Sequence, residues 1–118
     1  MGDSAMGLMK SVLKGIAGYK DLAGGSLKEA SEKAPNLMGC YKIFLNGELK
    51  YVGKSEYSLR QRFVQYYDGK MIYSAAAKKI HENRDNIMVS WVVQRSDEDC
   101  RRLEAQWIAK LKPEWNKI

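Results

Sequence analysis

The dipeptide Asn46-Gly47, set between CYKIFL and ELKYV, constrains the fold more than any other feature. A tight reversal needs backbone at positive φ, which Asn and Gly tolerate, so this pattern between two alternating apolar runs signals a β-hairpin. The hairpin spans about residues 39–55 and carries two tyrosines, Tyr41 and Tyr51, each accompanied by a glycine, Gly39 and Gly53. A hairpin needs neither the tyrosines nor those glycines, and the register decides what they can do. A two-residue loop sets Tyr51 across from Lys42 and splits the tyrosines between faces. A three-residue loop, Leu45-Asn46-Gly47, puts Tyr41 opposite Tyr51 and Ile43 opposite Leu49. The second register has the more coherent apolar face and is the expected one.

Downstream, Ser58 is placed to cap a helix through about Tyr67, with Leu59, Phe63 and Tyr66 inward and Arg62 bordering that stripe one turn before Tyr66. Arg60 projects to the other edge. A helix over about Ser74–Asn83 turns Ala76, Ala77 and Ile80 inward. IMVSWVVQ reads as a strand with Val89, Trp91 and Val93 on its buried side, and Ser96–Asp99 can cap a last helix to about Leu111. Upstream, Leu8, Met9, Val12, Leu13 and Ile16 recur at helical spacing over residues 5–20, and Ser26 with Glu29 forms a capping-box pattern for a helix from Leu27 to Lys33. These helices are expected to pack on the core. A boundary falls near Asn36, dividing an N-terminal helical extension, 1–38, from a domain over 39–118.

On the wheel of the last helix, Cys100, Leu103, Trp107, Ile108 and Leu111 form one apolar arc, and Glu104 falls inside it. A glutamate is rarely buried unless it is paired or binds metal, because desolvating the charge is expensive. Two readings fit: an ion pair with an arginine such as Arg62, or a metal or catalytic role. The net charge of +6, most of it after residue 38, permits a polyanionic partner. Cys40 and Cys100 lack Cys-x-x-Cys spacing, and His81 is the single histidine, which argues against a zinc site. Both cysteines read as buried thiols in a reducing compartment. Lys10 and Lys14 interrupt the N-terminal apolar run, and Met6 stands where a myristoylation signal wants Ser or Thr, so the expectation is a cytoplasmic protein without a membrane anchor.

Gly39-Cys40-Tyr41, Tyr51-Val52-Gly53, an arginine on the next helix, and the closing LEAQWIAKLKPEWN together resemble the GIY-YIG nuclease family across residues 39–116. The resemblance implies an α+β fold, a three-stranded antiparallel sheet flanked by helices. It implies Tyr41 and Tyr51 as active-site tyrosines, Arg62 as the helix arginine, Tyr66 where relatives carry His or Tyr, Glu104 as the metal ligand, and Asn116 as the asparagine that orients the site. Gly53 and Lys54 follow as substrate contacts, with Arg60 as a weaker candidate because one extra residue separates Gly53 from Arg62. Cys40 departs from the usual Ile or Val.

The expected activity is Mg²⁺- or Mn²⁺-dependent hydrolysis of DNA phosphodiesters, with RNA as an alternative polyanion. Magnesium takes only one or two carboxylates, so Glu104 alone is a sufficient anchor. Tyr41 serves as a base at neutral pH only if cations such as Lys54, Arg62 and the metal lower its pKa from about 10. Rival readings are a non-catalytic nucleic-acid-binding module of the same fold and a toxin-type nuclease acting with an inhibitor. Residues 1–38 are the spare surface for a protein partner or a second copy.

Overall fold

The computed structural model describes residues 23–117. Its elements are β1 (Ala23–Ser26), α1 (Leu27–Lys33), β2 (Gly39–Leu45), β3 (Glu48–Ser55), α2 (Leu59–Asp68), α3 (Ala75–Glu82), a 3-10 turn (Arg84–Asn86), β4 (Ile87–Val93), α4 (Asp97–Leu111) and a closing 3-10 turn (Glu114–Lys117). The helix expected over residues 5–20 lies outside the described residues.

The helices begin where their caps dictate. Ser26, Ser58, Ser74 and Ser96 each accept a hydrogen bond from the backbone N–H three residues on. Ser26 and Glu29 complete the reciprocal capping box, so four starts are set by local chemistry. Gly69, at φ 77°, ends α2 in the left-handed conformation.

The sheet is antiparallel, in the order β1-β4-β2-β3. It therefore has four strands where three were expected. The additional strand is Ala23–Ser26, whose Gly-Gly pair reads as a helix terminator in sequence. A side chain at Gly24 would strike the carbonyl of Val89, so the missing Cβ is what lets β1 close on β4.

The two sheet faces are covered differently. Tyr41, Ile43, Val89 and Ile87 point into the main core, where they meet Leu27 and Ala30 of α1, Leu59, Phe63 and Tyr66 of α2, Ala77 and Ile80 of α3, and Trp115. Helix α1 packs into this core as expected. Of the side assigned to β4, Val89 is buried, Trp91 is half-buried and Val93 is exposed, because β4 runs beyond the helices at its C-terminal end.

Helix α4 lies over the opposite face, where the Cys40 thiol donates to the carbonyl of Cys100 at 3.1 Å. Both thiols are free and buried. The arc read from the helical wheel does face the sheet, but only Cys100 is fully buried. Beside it Lys42, wholly buried, sets its ammonium 4.1 Å from the Trp107 ring centroid. Neither that ammonium nor the hydroxyl of Ser90, its register partner on β4, has a hydrogen-bond partner among the described residues. Burial pulls the Lys42 pKa down to about 8. Among the described residues no helix is long and apolar enough to cross a membrane.

Replacing Lys42 with Met keeps the chain length and removes a charge that folding must desolvate. Lys42→Met is expected to raise the midpoint of urea unfolding at pH 7. A lysine with a depressed folded pKa regains stability as pH rises from about 8 toward 10.5, so the advantage of the variant should narrow across that window.

Candidate active site

The hairpin brings its tyrosines together by a route other than the expected one. Asn46 and Gly47 both lie at positive φ, 52° and 82°, and Leu45 pairs with Glu48, so the loop has two residues. That loop alone would send Tyr51 to the face opposite Tyr41. A bulge between Ile43 and Phe44 corrects it: Phe44 pairs with Leu49 and Ile43 with Tyr51, which leaves Lys50 as the extra residue. Lys50 reaches Glu48 at 3.1 Å and Glu114 at 3.6 Å. Tyr51 thus stands opposite Ile43, and Tyr41 stands opposite Gly53. The phenols share a face as diagonal neighbours, with ring centroids 6.4 Å apart, rather than as a direct pair.

Gly53 has a steric task in this register. A Cβ there would sit 2.5 Å from both Cζ and the hydroxyl oxygen of Tyr41, so the phenol lies across the glycine. Phe63 meets the same ring edge-on at 5.4 Å. The Tyr41 hydroxyl is 2.5 Å from that of Tyr66, and Nη1 of Arg62 donates to the Tyr41 oxygen at 3.5 Å. His81 holds the backbone carbonyl of Tyr66 through Nδ1 at 2.9 Å, a satisfied histidine rather than a ligand. Tyr51, Arg62 and Tyr66 line a cleft of about 360 Å³ together with Met71, Ile72 and Tyr73.

Burial raises the Tyr41 pKa well above 10, and the neighbouring Tyr66 adds to the shift against the opposing pull of Arg62. Tyr51 is pushed up to about 12, again mainly by burial. The sequence argument required cations to lower Tyr41; in this arrangement desolvation outweighs Arg62, and Lys54 does not enter the balance. Lys54 is tied to Glu56 at 2.6 Å and Asp97 at 3.2 Å.

Glu104, half-buried on α4, has its pKa raised by desolvation while Lys54 and Arg62 pull it down. No hydrogen bond acts on it, and among the described residues the ion pairs of α4 do not include it, so the Arg62–Glu104 pair weighed in the sequence does not form. Its charge is felt by Tyr51 and Tyr66 on one face of the sheet and by Cys40 on the other.

Two expected site residues do not line the cleft. Arg60 donates from Nε to the carbonyl of Ala34 at 2.6 Å, fastening α2 to the end of α1 away from the cleft. Asn116 turns its amide to β3, accepting from the Val52 N–H and donating to the Val52 carbonyl, both at 2.8 Å. It acts as a one-residue partner for the edge strand, gripping β3 between Tyr51 and Gly53. Sequence reasoning missed Met71 and Tyr73, which sit in the connection between α2 and α3. Their signal was two large apolar groups in a short Gly-to-Ser link.

A family model for the UvrC-like GIY-YIG domain matches residues 37–117. The chain belongs to that family. The UvrABC system protein C of Rhizobium johnstonii is 28% identical, aligned over 90% of this chain and 17% of its own length. That of Caulobacter vibrioides is 30% identical, over 76% and 14%. This chain therefore corresponds to a small part of those proteins. Among solved structures, the N-terminal GIY-YIG endonuclease domain of UvrC from Thermotoga maritima, bound to magnesium as its catalytic divalent cation, superposes with a TM-score of 0.61 at 24% identity, covering 75% of this chain and 93% of that one. A point mutant of it, also cation-bound, gives 0.61 at 22%, covering 75% and 92%.

As a GIY-YIG domain, the chain carries its first triplet as Gly39-Cys40-Tyr41 and its second as Tyr51-Val52-Gly53. Cys40 is tolerated because that position points away from the tyrosines, under α4. Of the two arginines that the spacing left in play, Arg62 is the one at the GIY-YIG cleft.

Two outcomes follow from this geometry. Gly53→Ala forces the new methyl group onto the Tyr41 ring and is expected to destabilise the domain by about 1–3 kcal/mol, read by urea unfolding. The phenols make the second. With folded pKa values above the unfolded value of about 10, they stabilise the fold fully below pH 10, and that contribution is lost as pH rises through the folded values. Absorbance titration should show Tyr51 ionising only near pH 12, and Tyr41→Phe should flatten the alkaline loss of stability.

Proposed function

We propose that this GIY-YIG domain is a divalent-metal-dependent DNA endonuclease, with its machinery in residues 39–118. One observation carries the reading: Tyr51, Tyr66 and the Arg62 guanidinium line a single cleft, the buried Tyr41 hydroxyl is bonded to Tyr66 and Arg62, and the half-buried Glu104 carboxylate, whose charge acts on Tyr51 and Tyr66, forms no ion pair among the described residues. A core has no packing reason to collect these groups, whereas phosphodiester hydrolysis uses each of them.

The donor chemistry fits a magnesium-type ion. Among the described residues no three His, Cys, Asp or Glu side chains cluster, which disfavours an all-protein cage. A hard cation that keeps most of its water needs only one or two carboxylates, and among the described residues no side chain pairs with Glu104. Held by Glu104, Mg²⁺ or Mn²⁺ would supply Lewis-acid neutralisation of charge on the phosphate.

The chain's own residues do the rest. Arg62, fixed beside Tyr41, faces the cleft as a donor for a non-bridging phosphate oxygen, where charge accumulates as the water attacks. Tyr41 keeps its proton at neutral pH in this arrangement, so its oxygen orients the attacking water by hydrogen bonding. Tyr66, hydrogen-bonded to it, fixes the direction of the phenolic proton. Tyr51 presents its hydroxyl in the same cleft as a phosphate donor. Asn116 and Gly53 position these groups by holding β3 and seating the Tyr41 ring. DNA is the polyanion this reading takes as substrate, in keeping with the net charge of +6; a protein partner or second copy is expected through residues 1–38.

Nicking of supercoiled plasmid tests the reading. Wild-type protein should nick in Mg²⁺ or Mn²⁺ and not in EDTA. Glu104→Gln should remove activity while preserving the fold, and Arg62→Ala should lower the rate about 10²–10³-fold, the usual effect of losing one transition-state donor. Metal-independent nicking, or full activity in Glu104→Gln, would refute the mechanism. DNA binding without any cutting would leave a non-catalytic module of the same fold.

A further inference from the structure

The cleft lining is chemically mixed. It joins the proposed phosphate groups, Tyr51, Arg62 and Tyr66, to Met71, Ile72 and Tyr73 from the connection between Gly69 and Ser74. Ile72 packs against the core, but Met71 is 66% exposed and Tyr73 85% exposed. These are two of the five large hydrophobic side chains that the described surface leaves exposed, and both border the same cleft. Met71 also holds φ at 56°, a left-handed conformation that a long side chain rarely adopts and that local packing does not reward. The connection is pinned at both ends. Gly69 lies against the His81 ring, and Ser74 caps α3. The exposed pair is therefore held out on a braced turn.

We infer that Tyr73, with Met71 beside it, is a stacking subsite for the nucleobase adjoining the phosphate held at Arg62. The inference rests on the nuclease reading of the cleft. The occupant follows from continuity: a ligand that sets its phosphate against Arg62 must place its next apolar, flat portion within the same cleft, and a base is the part of a nucleotide that gains by covering a phenol ring. About 360 Å³ lies within the range that receives a small organic ligand. Stacking tolerates any base, because each presents a π-face, so the subsite favours an unpaired or splayed nucleotide without reading sequence. A thioether beside an aromatic ring adapts to purines and pyrimidines alike.

The test uses single-stranded oligonucleotides carrying 2-aminopurine, matched abasic strands of the same length, and the full chain in Ca²⁺ or EDTA. Wild-type protein should quench the 2-aminopurine and bind the base-bearing strand more tightly than the abasic one. Tyr73→Ala should weaken binding of the base-bearing strand about ten- to hundredfold and abolish the quench, while abasic binding stays within about twofold. Tyr73→Phe should restore both readouts. In Mg²⁺, Tyr73→Ala should lower kcat/KM on the base-bearing strand while cleavage of the matched abasic strand, which has nothing to stack, stays within about twofold.

Equal binding of both strands by wild type and Tyr73→Ala, or equal loss of both, overturns the subsite. Cutting by the wild type with no effect of Tyr73→Ala removes the subsite and leaves the nuclease. Base-dependent binding without metal-dependent cutting does the reverse, and absence of DNA binding removes both.

Discussion

The phenol of Tyr41 lying across Gly53 is the contact on which the site depends. It can form only if residues 41 and 53 face each other on the same side of the sheet, which fixes the register of β2 against β3. From that register follow the position of Tyr51 two residues earlier on the same face and the 2.5 Å approach of Tyr66 from α2. Arg62 comes with Tyr66, one helical turn before it. A slip by one residue would carry the whole set away from the cleft.

Holding polar groups in this way opposes their ionisation. Tyr41 and Tyr66 are buried, and desolvation raises both pKa values beyond what Arg62 offsets; Tyr66 adds to the rise at Tyr41, while the hydrogen bond with Tyr41 pulls Tyr66 back down. The pair is therefore a rigid, protonated hydrogen-bonding unit, which suits orientation more than proton abstraction. Glu104 is the counterpart on the other helix layer, a carboxylate partly out of water that has no hydrogen-bond donor among the described residues and whose desolvation Lys54 and Arg62 offset only from a distance. Lys42, on the sheet face away from the tyrosines and beneath Trp107, likewise has no hydrogen-bond partner among the described residues.

Part of the cleft lining differs in kind. Helix ends at Gly69 and Ser74 brace a short connection that turns Met71 and Tyr73 outward and Ile72 onto the core. Charged and aromatic groups in one cleft match the two chemistries of a nucleotide, and the fold supplies them from β3, α2 and the connection that follows α2. The N-terminus of α2 is meanwhile anchored away from the cleft, by Arg60 on Ala34 and by Ser58 on Asn36.

Local chemistry made the elements legible in the sequence. The serine caps, the Asn-Gly turn and the 3.6-residue periodicity of α2 and α3 act within a few residues, so α1, α2, α3, β4 and the hairpin appear where the sequence places them. The triplets and the LEAQWIAKLKPEWN tail likewise marked the residues that gather at the cleft or support it. What the sequence could not determine were choices made between distant segments. The bulge at Lys50 is selected by packing Tyr51 and Tyr41 on one face, a demand that no local propensity encodes, and so the three-residue loop looked preferable. The fourth strand exists because Gly24 lets the chain approach Val89, some sixty-five residues away. Only tertiary contact put Arg62 and not Arg60 in the cleft lining, set the Asn116 amide on the edge of β3, and set the sign of the Tyr41 shift, because burial and the mutual field of side chains arise only once the layers have closed.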